Sequence, residues 1–351
     1  MVEAFPDCEI RALWNDAPTR YDVRVTETWL ARTPIRRRKS MAVPFALAAW
    51  TRQLVGFEAE RVVISSHLFA HHARFPEFPD APRYAYVHTP ARYIWTPELD
   101  SRGNGLLAKA TSPFFRVVDR RRAQRVTAVA ANSHFVKERI AKSWNMDSSV
   151  IYPPVDVIEI LQVNDWRNAL SSQDEAIFAA LPSEFILGAS RLVEYKRFDD
   201  VFRFAASVGL PAVVGGDGPE LAKLKSQAAE LGARTYFLGR ISTPLLRALY
   251  QRAIAYVFPP VEDFGIMPVE AMAAGARVIV NSVGGASESV QHGISGVHTQ
   301  GFGGDDARKA LELAQAVSAE AAISRARYFA KERFIDELHS WVGLTGGLRS
   351  R

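Results

Sequence analysis

The chain has 351 residues, 48% of them hydrophobic, with 19 Pro and 22 Gly. That predicts a two-domain globular protein and excludes a disordered or repetitive one. A single cysteine, Cys8, excludes an internal disulfide framework and fits a reducing compartment, and no apolar run approaches the roughly 20 residues of a membrane-spanning helix. The net charge of +5 is uneven: residues 1–152 carry 23 Lys+Arg against 15 Asp+Glu, and the remainder 20 against 23. The basic excess gathers in RRRK (36–39) and FFRVVDRRRAQR (114–125). Cations beside Phe and Val suit an anionic lipid surface or a phosphate-bearing substrate. No helix-turn-helix, zinc or aromatic-platform motif accompanies them to suggest nucleic acid.

In chain order, Met1–Phe5 reads as the end of a helix and Cys8–Trp14 as the strand after it. MAVPFALAAW (41–50) follows the basic RRRK but lies too far inside the chain for a signal peptide, so a core or interfacial helix is expected. RVVISSH (61–67) and RYAYVHTP (83–90) read as strands. VTAVAANSHFVKERIAK (126–142) reads as a strand running into a helix, with Asn132 or Ser133 as N-cap. SVIYPPVD (149–156) is a strand stopped by Pro153 and Pro154, which remove backbone donors and mark a domain boundary. A second series follows: strands at 185–190, 211–219, 234–240, 255–260 and 276–285, a helix at 245–253, and a helical tail from about Ser318 to Trp341. Alternating strands and helices predict an α/β fold of two doubly wound units facing a cleft, with ligands outside the carboxyl ends of the strands. The expected domains are 1–152, 153–318 and a helical segment 319–351 that crosses back to the first. An opening strand and Gly-rich turn are missing from the first unit, so Met1 is expected to be an internal Met, or the chain a shortened one. Loss of a central strand would leave its neighbours with unpaired backbone groups.

The chemistry concentrates in FPPVEDFGIMPVE (258–270). Backbone amides at a helix start have no internal partners and attract anions. Gly265 permits close approach, Ile266 and Met267 offer the first amides, and Pro268 suits the first turn. Glu262 and Glu270 flank this start. Carboxylates suit hydroxyls rather than phosphate, so the pattern fits a ligand with a phosphate centre and hydroxylated rings at both ends, a nucleotide sugar. The competing reading is a capped helix with ordinary core residues. In SRLVEYKRF (190–198), Arg191 and Lys196 near a strand end can clamp a diphosphate, or stand as surface charge. GGDGPE (215–220), with Gly216, and GGASESV (284–290) are Gly turns that allow close backbone approach.

RLVEYKR, VVGGDGPE, FLGRIS, VFPPVEDFGIMPVEAMAAGARVIV and GGASESV, in this order, resemble the C-terminal half of glycosyltransferase family 4, which has the GT-B fold. VISSHLFAHHA, YVHTPARYIW, ANSHFVKERI and VIYPPVD are similar to its bacterial branch of lipopolysaccharide and capsule mannosyltransferases. The resemblance covers about residues 5–340. It implies that Glu262 holds donor-sugar hydroxyls and Glu270 the ribose hydroxyls, while Arg191 and Lys196 neutralise the leaving diphosphate. Gly216, Gly239, Arg240, Phe264, Gly265, Ile266 and Met267 would surround the donor, with Arg240 at the base. His88 would sit at the reacting sugar, while His67, His71 and His72 are expected to be core histidines. The family retains anomeric configuration and needs neither metal nor cofactor. The resemblance therefore implies transfer of a hexose, mannose from GDP-mannose above all, to a lipid-linked saccharide, at the inner face of the cell membrane. The alternatives are a nucleotide-sugar 2-epimerase of the same fold and an inactive nucleotide-sugar-binding remnant. The family's opening strand and Gly-Gly turn have no counterpart here.

Overall fold

The computed structural model describes residues 1–19, 23–37, 39–51, 53, 56, 58–67, 69–96 and 106–344. Arg38 of the basic run and residues 345–351 of the expected tail lie outside them. The chain divides into two compact units, Met1–Tyr152 with Ile335–Arg351, and Pro153–Phe334. The division after Tyr152 falls at the Pro153-Pro154 pair. The expected third segment, 319–351, is split at Phe334 between the two units.

In the first unit, β1 (Ile10–Ala12) and β2 (Val25–Glu27) form a parallel pair. After α1 (Lys39–Thr51), β3 (Val62–Ser66), β4 (Arg83–Val87), β5 (Ala128–Ala131) and β6 (Ser149–Val150) form a second parallel sheet in that order. The short α2 (Arg92–Trp95) and the longer α3 (Leu106–Ala123) lie between β4 and β5, and α4 (His134–Trp144) follows β5. Among the described residues, the strands of this unit thus form two sheets rather than one continuous sheet. Ser133 caps α4, its Oγ accepting from the Val136 N–H at 3.0 Å, which satisfies one of the orphan amides of the first turn. The expected strand at 149–156 pairs only over Ser149–Val150, because the prolines that follow cannot donate to a ladder. Ile64, Val87, Val129, Ile140 and Trp144 share one buried core.

The second unit opens with α5 (Val157–Leu161) and α6 (Ser172–Ala179). It then alternates β7 (Ile186–Ala189), α7 (Phe198–Val208), β8 (Ala212–Gly215), α8 (Leu221–Glu230), β9 (Thr235–Gly239), α9 (Thr243–Arg252), β10 (Ala255–Phe258), α10 (Ile266–Ala273), β11 (Val278–Asn281), α11 (Gly285–Ser289), β12 (Val297–Thr299), α12 (Gly304–Gln315) and α13 (Ala319–Arg327). The parallel order is β12-β11-β10-β7-β8-β9. β7, β8, β10 and β11 are buried at every residue, whereas the edge strand β9 is half-buried throughout. Strands covered on both faces read as continuous apolar runs, and ILGA, AVVG, AYVF and VIVN do so. From β7 the chain winds outward to β9, then returns to place β10 on the other side of β7. This reversal makes a crevice beyond the carboxyl ends of β7 and β10, where such sheets bind ligands. The expected continuous tail helix is broken at Tyr328–Ala330, between α13 and α14 (Lys331–Trp341).

Candidate functional site

Three segments converge on the reversal point of the second sheet. After β7, the chain turns through a single 3-10 turn, Glu194–Lys196, and reaches α7 through Arg197 at φ 53°. A left-handed backbone at a residue with a Cβ costs about 1 kcal/mol or more. Here Arg197 also pairs with Asp200 and lies over the Phe302 ring. The turn aims Lys196 inward, so that it is 9% exposed, with its Nζ 5.5 Å from the ring centres of both Tyr195 and Phe258. There it forms a close ion pair with Glu262, from the loop after β10. Arg191 stays exposed and donates to the Tyr195 hydroxyl at 3.0 Å.

The loop carrying Glu262 is fixed from several sides. Asn281, at the end of β11, donates to the Pro259 carbonyl at 2.9 Å, and the Gly285 N–H donates to the Glu262 carbonyl at 2.7 Å. Phe264, expected among the donor contacts, has its side chain buried against the Phe329 ring, 5.4 Å between centres. It therefore anchors the loop by packing. Gly265 is the N-cap of α10 at φ 86°, a conformation that suits glycine. Ile266 is exposed and Met267 half-buried at the helix start, where the first amides lack intrahelical partners. Pro268 lies in the first turn, where it removes no intrahelical hydrogen bond.

Glu270 lies one turn further in. Burial raises its carboxyl above the ordinary value of 4.5, Arg247 pulls it back, and Asp156 adds to the rise. Burial likewise raises the Tyr256 phenol, as do its neighbours Tyr250, Glu262 and Glu270. The charges of both acids thus act on one buried tyrosine of β10. Sequence reasoning did not single out Tyr256 or Arg247. Arg247 stacks on Trp166, 4.5 Å from its ring centre, and pairs with Glu159 at 2.9 Å. Its only sequence signal is a cation inside an amphipathic helix.

At the ends of β8 and β9, the Gly216 N–H donates to the Gly239 carbonyl at 2.7 Å. A Cβ at Gly216 would overlap the Ser190 carbonyl oxygen, so only glycine lets this turn close on the loop after β7. Arg240 projects into solvent, 3.7 Å from Asp217. Arg191, Lys196, Gly216, Glu262 and Gly265 thus belong to connections around one end of one sheet, and Glu270 to α10, which starts there. A small cavity there is lined by Ser190, Lys196, Phe258 and Pro259.

His88 belongs to the first unit. It follows β4, and its Nε2 lies 2.8 Å from Ser65 Oγ. His71 and His72, expected to be ordinary core histidines, are buried but share hydrogen bonds with Asp119. Sequence reasoning missed that acid.

Residues 172–332 match the family model described as Glycosyl transferases group 1. Over 176 residues the chain is 30% identical to the O-antigen chain mannosyltransferase RfbU of Salmonella typhimurium, covering 48% of this chain and 46% of that protein. Over 211 residues it is 30% identical to a GDP-mannose-dependent alpha-(1-6)-phosphatidylinositol monomannoside mannosyltransferase of Mycobacterium tuberculosis, covering 54% and 52%. The chain spans about half the length of the curated relatives it matches. Among solved structures, Anabaena Alr3699/HepE in complex with UDP and glucose superposes with a TM-score of 0.61 at 19% identity, over 92% of this chain and 86% of that one. Sucrose-phosphate synthase from Thermosynechococcus elongatus superposes with a TM-score of 0.64 at 16% identity, over 92% and 83%. The fold is therefore the GT-B fold of these solved structures, and within the second unit residues 172–332 are similar to the glycosyl transferases group 1 family.

Proposed function

We propose that this chain is a retaining hexosyltransferase that takes a sugar from a nucleotide diphosphate donor, with mannose from GDP-mannose as the favoured donor and a lipid-linked saccharide as acceptor. The observation that carries this reading is the buried Lys196–Glu262 ion pair at the reversal between β7 and β10. It sets a phosphate-seeking cation and a hydroxyl-seeking carboxylate beside the start of α10. A donor entering there exchanges the pair's partners: its diphosphate takes Lys196, and its sugar hydroxyls take Glu262. Glu270 accepts from the ribose hydroxyls. The names of the two mannosyltransferases above support mannose, and the Salmonella relative's role on O-antigen chains supports a saccharide acceptor.

In the reaction, the acceptor hydroxyl oxygen bonds to the anomeric carbon on the face from which the diphosphate departs. The bond from that carbon to the phosphate oxygen breaks, and the departing oxygen takes the hydroxyl proton. Lys196, Arg191 and the first amides of α10 stabilise the developing charge, so no metal ion is required. His88 is assigned to the reacting sugar on the resemblance of its HTP segment.

A donor panel followed by product analysis tests the reading. Lys196→Ala should lower kcat about 10²- to 10³-fold, and a chelator should leave turnover intact. Unchanged turnover in Lys196→Ala would remove the clamp, and loss of activity with chelator would remove the metal-free mechanism. Conversion of the donor without any acceptor would identify an epimerase instead. Donor binding with neither transfer nor hydrolysis would identify a binding remnant.

A further inference from the structure

The first unit holds a polar cluster that the reaction above does not use. Asp119, on α3, is fully buried. Its Oδ1 accepts from His71 Nε2 at 3.0 Å and His72 Nε2 at 2.9 Å. Its Oδ2 accepts from Trp95 Nε1 at 2.8 Å and Trp144 Nε1 at 2.7 Å. Four N–H donors occupy the roughly four lone-pair sites of one carboxylate. Burial alone would raise this carboxyl; the two imidazoles, His71 first, bring it well below the usual carboxylate range. An ionised carboxylate only accepts, so each Nε2 that meets it carries a proton.

The Nδ1 of His71 shares a 2.9 Å hydrogen bond with Ser66 Oγ. Ser66 is the last residue of β3, and its carbonyl accepts the His88 N–H at 3.2 Å. Its neighbour Ser65 points to the opposite side of the strand and meets His88 Nε2 at 2.8 Å. His88 is thus held at two points by consecutive serines, and one of these is tied through His71 to the buried carboxylate. The Tyr86 ring, 5.4 Å away at 89°, flanks the imidazole.

We propose that Asp119, His71 and Ser66 are positioning residues for His88: the buried carboxylate locks the end of β3, and the locked strand presents Ser65 so that it holds the His88 ring in one orientation. The consequence for catalysis rests on the reading of His88 at the reacting sugar. A network anchored in five elements restricts an otherwise rotatable side chain, which is how a second layer of residues keeps a reacting group in place. The two His Nε2 atoms and the Asp119 oxygen lie within 4.8 Å of one another, as metal ligands would. An ion there would have to displace the protons that the two Nε2 atoms donate to Asp119.

The test is side-chain 15N NMR of the full-length protein at one neutral pH, comparing wild type, Ser66→Ala and Asp119→Asn. Asp119→Asn places an amide against N–H donors and is the variant at risk of unfolding; Ser66→Ala removes a single hydroxyl and keeps the fold. The His88 ring signals should shift in both, while those of His298 in the second unit stay in place. Turnover of Ser66→Ala should fall about tenfold in kcat, with the donor KM within about twofold of wild type. Unmoved His88 signals in folded Ser66→Ala overturn the positioning. One tightly held metal ion per chain in the purified protein overturns it as well, since the imidazoles would then be ligands. If His88→Ala keeps full turnover while the His88 signals respond as expected, the catalytic consequence fails and the positioning stands.

Discussion

At the scale of single residues, the two acids of the 258–270 stretch have different surroundings. Glu262 is paired with Lys196, whereas Glu270 has its carboxyl raised by burial. A carboxyl raised on folding takes up its proton more readily in the folded chain. Its contribution to stability is therefore present below 4.5 and is lost as pH rises through the raised value. Glu270→Gln should accordingly have a higher Tm than wild type at pH 7, a difference that closes by pH 4, while its donor affinity falls. A melting series across that range, with donor binding measured alongside, checks both halves. A variant equally stable at both pH values would show that Glu270 is not held against its own burial. The spacing of the acids was legible in the sequence because an apolar loop between two carboxylates is unlike a solvated face. That Glu270 is raised was not, since that depends first on its burial and then on Arg247 and Asp156, brought from elsewhere in the chain.

Among elements, the second unit was the more legible. β7, β8, β10 and β11 are apolar runs closed by Ser190, Gly215, Pro259 and Asn281, and both signals are local. β2 and β12 are three residues each, too short to show a period. The Tyr328–Ala330 break in the tail is set by packing, with Phe329 buried against Phe264. The Asp119 network was illegible because its members come from β3, the 3-10 turn at Ala70–His72, α2, α3 and α4, far apart in sequence. That turn also carries an acid response. Burial pushes His72 down to about 4 from its ordinary 6.5, so the unfolded chain takes up a proton before the folded one. The contribution is complete above 6.5 and drains as pH falls to about 4, by about 3 kcal/mol. Denaturant unfolding across this window should show that loss, and His72→Gln should flatten it. Parallel curves for the two proteins would count against His72 as the group responsible.

For the whole molecule, the charge asymmetry read from composition is partly used inside the first unit. Arg116 and Arg120 turn back onto Trp95, at 5.6 and 5.4 Å, and donate to the carbonyls of Ile94 and Ser143. Arg121 remains exposed on α3 with Phe114 and Val117, and Trp29 and Phe45 form an exposed edge-to-face pair. No helix among the described residues is long and apolar enough to cross a membrane. These exposed groups are what the bilayer contact expected from the basic composition would use. Sedimentation with phosphatidylglycerol-rich vesicles should capture the protein at roughly 0.05 M salt and release it by roughly 0.5 M, as screening shortens the reach of exposed charge. Capture by neutral vesicles alone would contradict the electrostatic part.

The first unit is also closed by the far end of the chain. Arg61 donates to the Val342 carbonyl at 3.0 Å, Tyr84 meets Trp341 edge to face at 5.3 Å, and His339 lies with its Nε2 2.6 Å from the Ala4 carbonyl and meets Phe5 edge to face at 5.6 Å. During synthesis the second unit is therefore complete while the first still waits for its last helix, so the domain that begins first is the one that finishes last. Ending the chain after Phe334 should loosen the first unit, seen as fast hydrogen exchange in β3 and β4, and leave protection in β7, β10 and β11 unchanged.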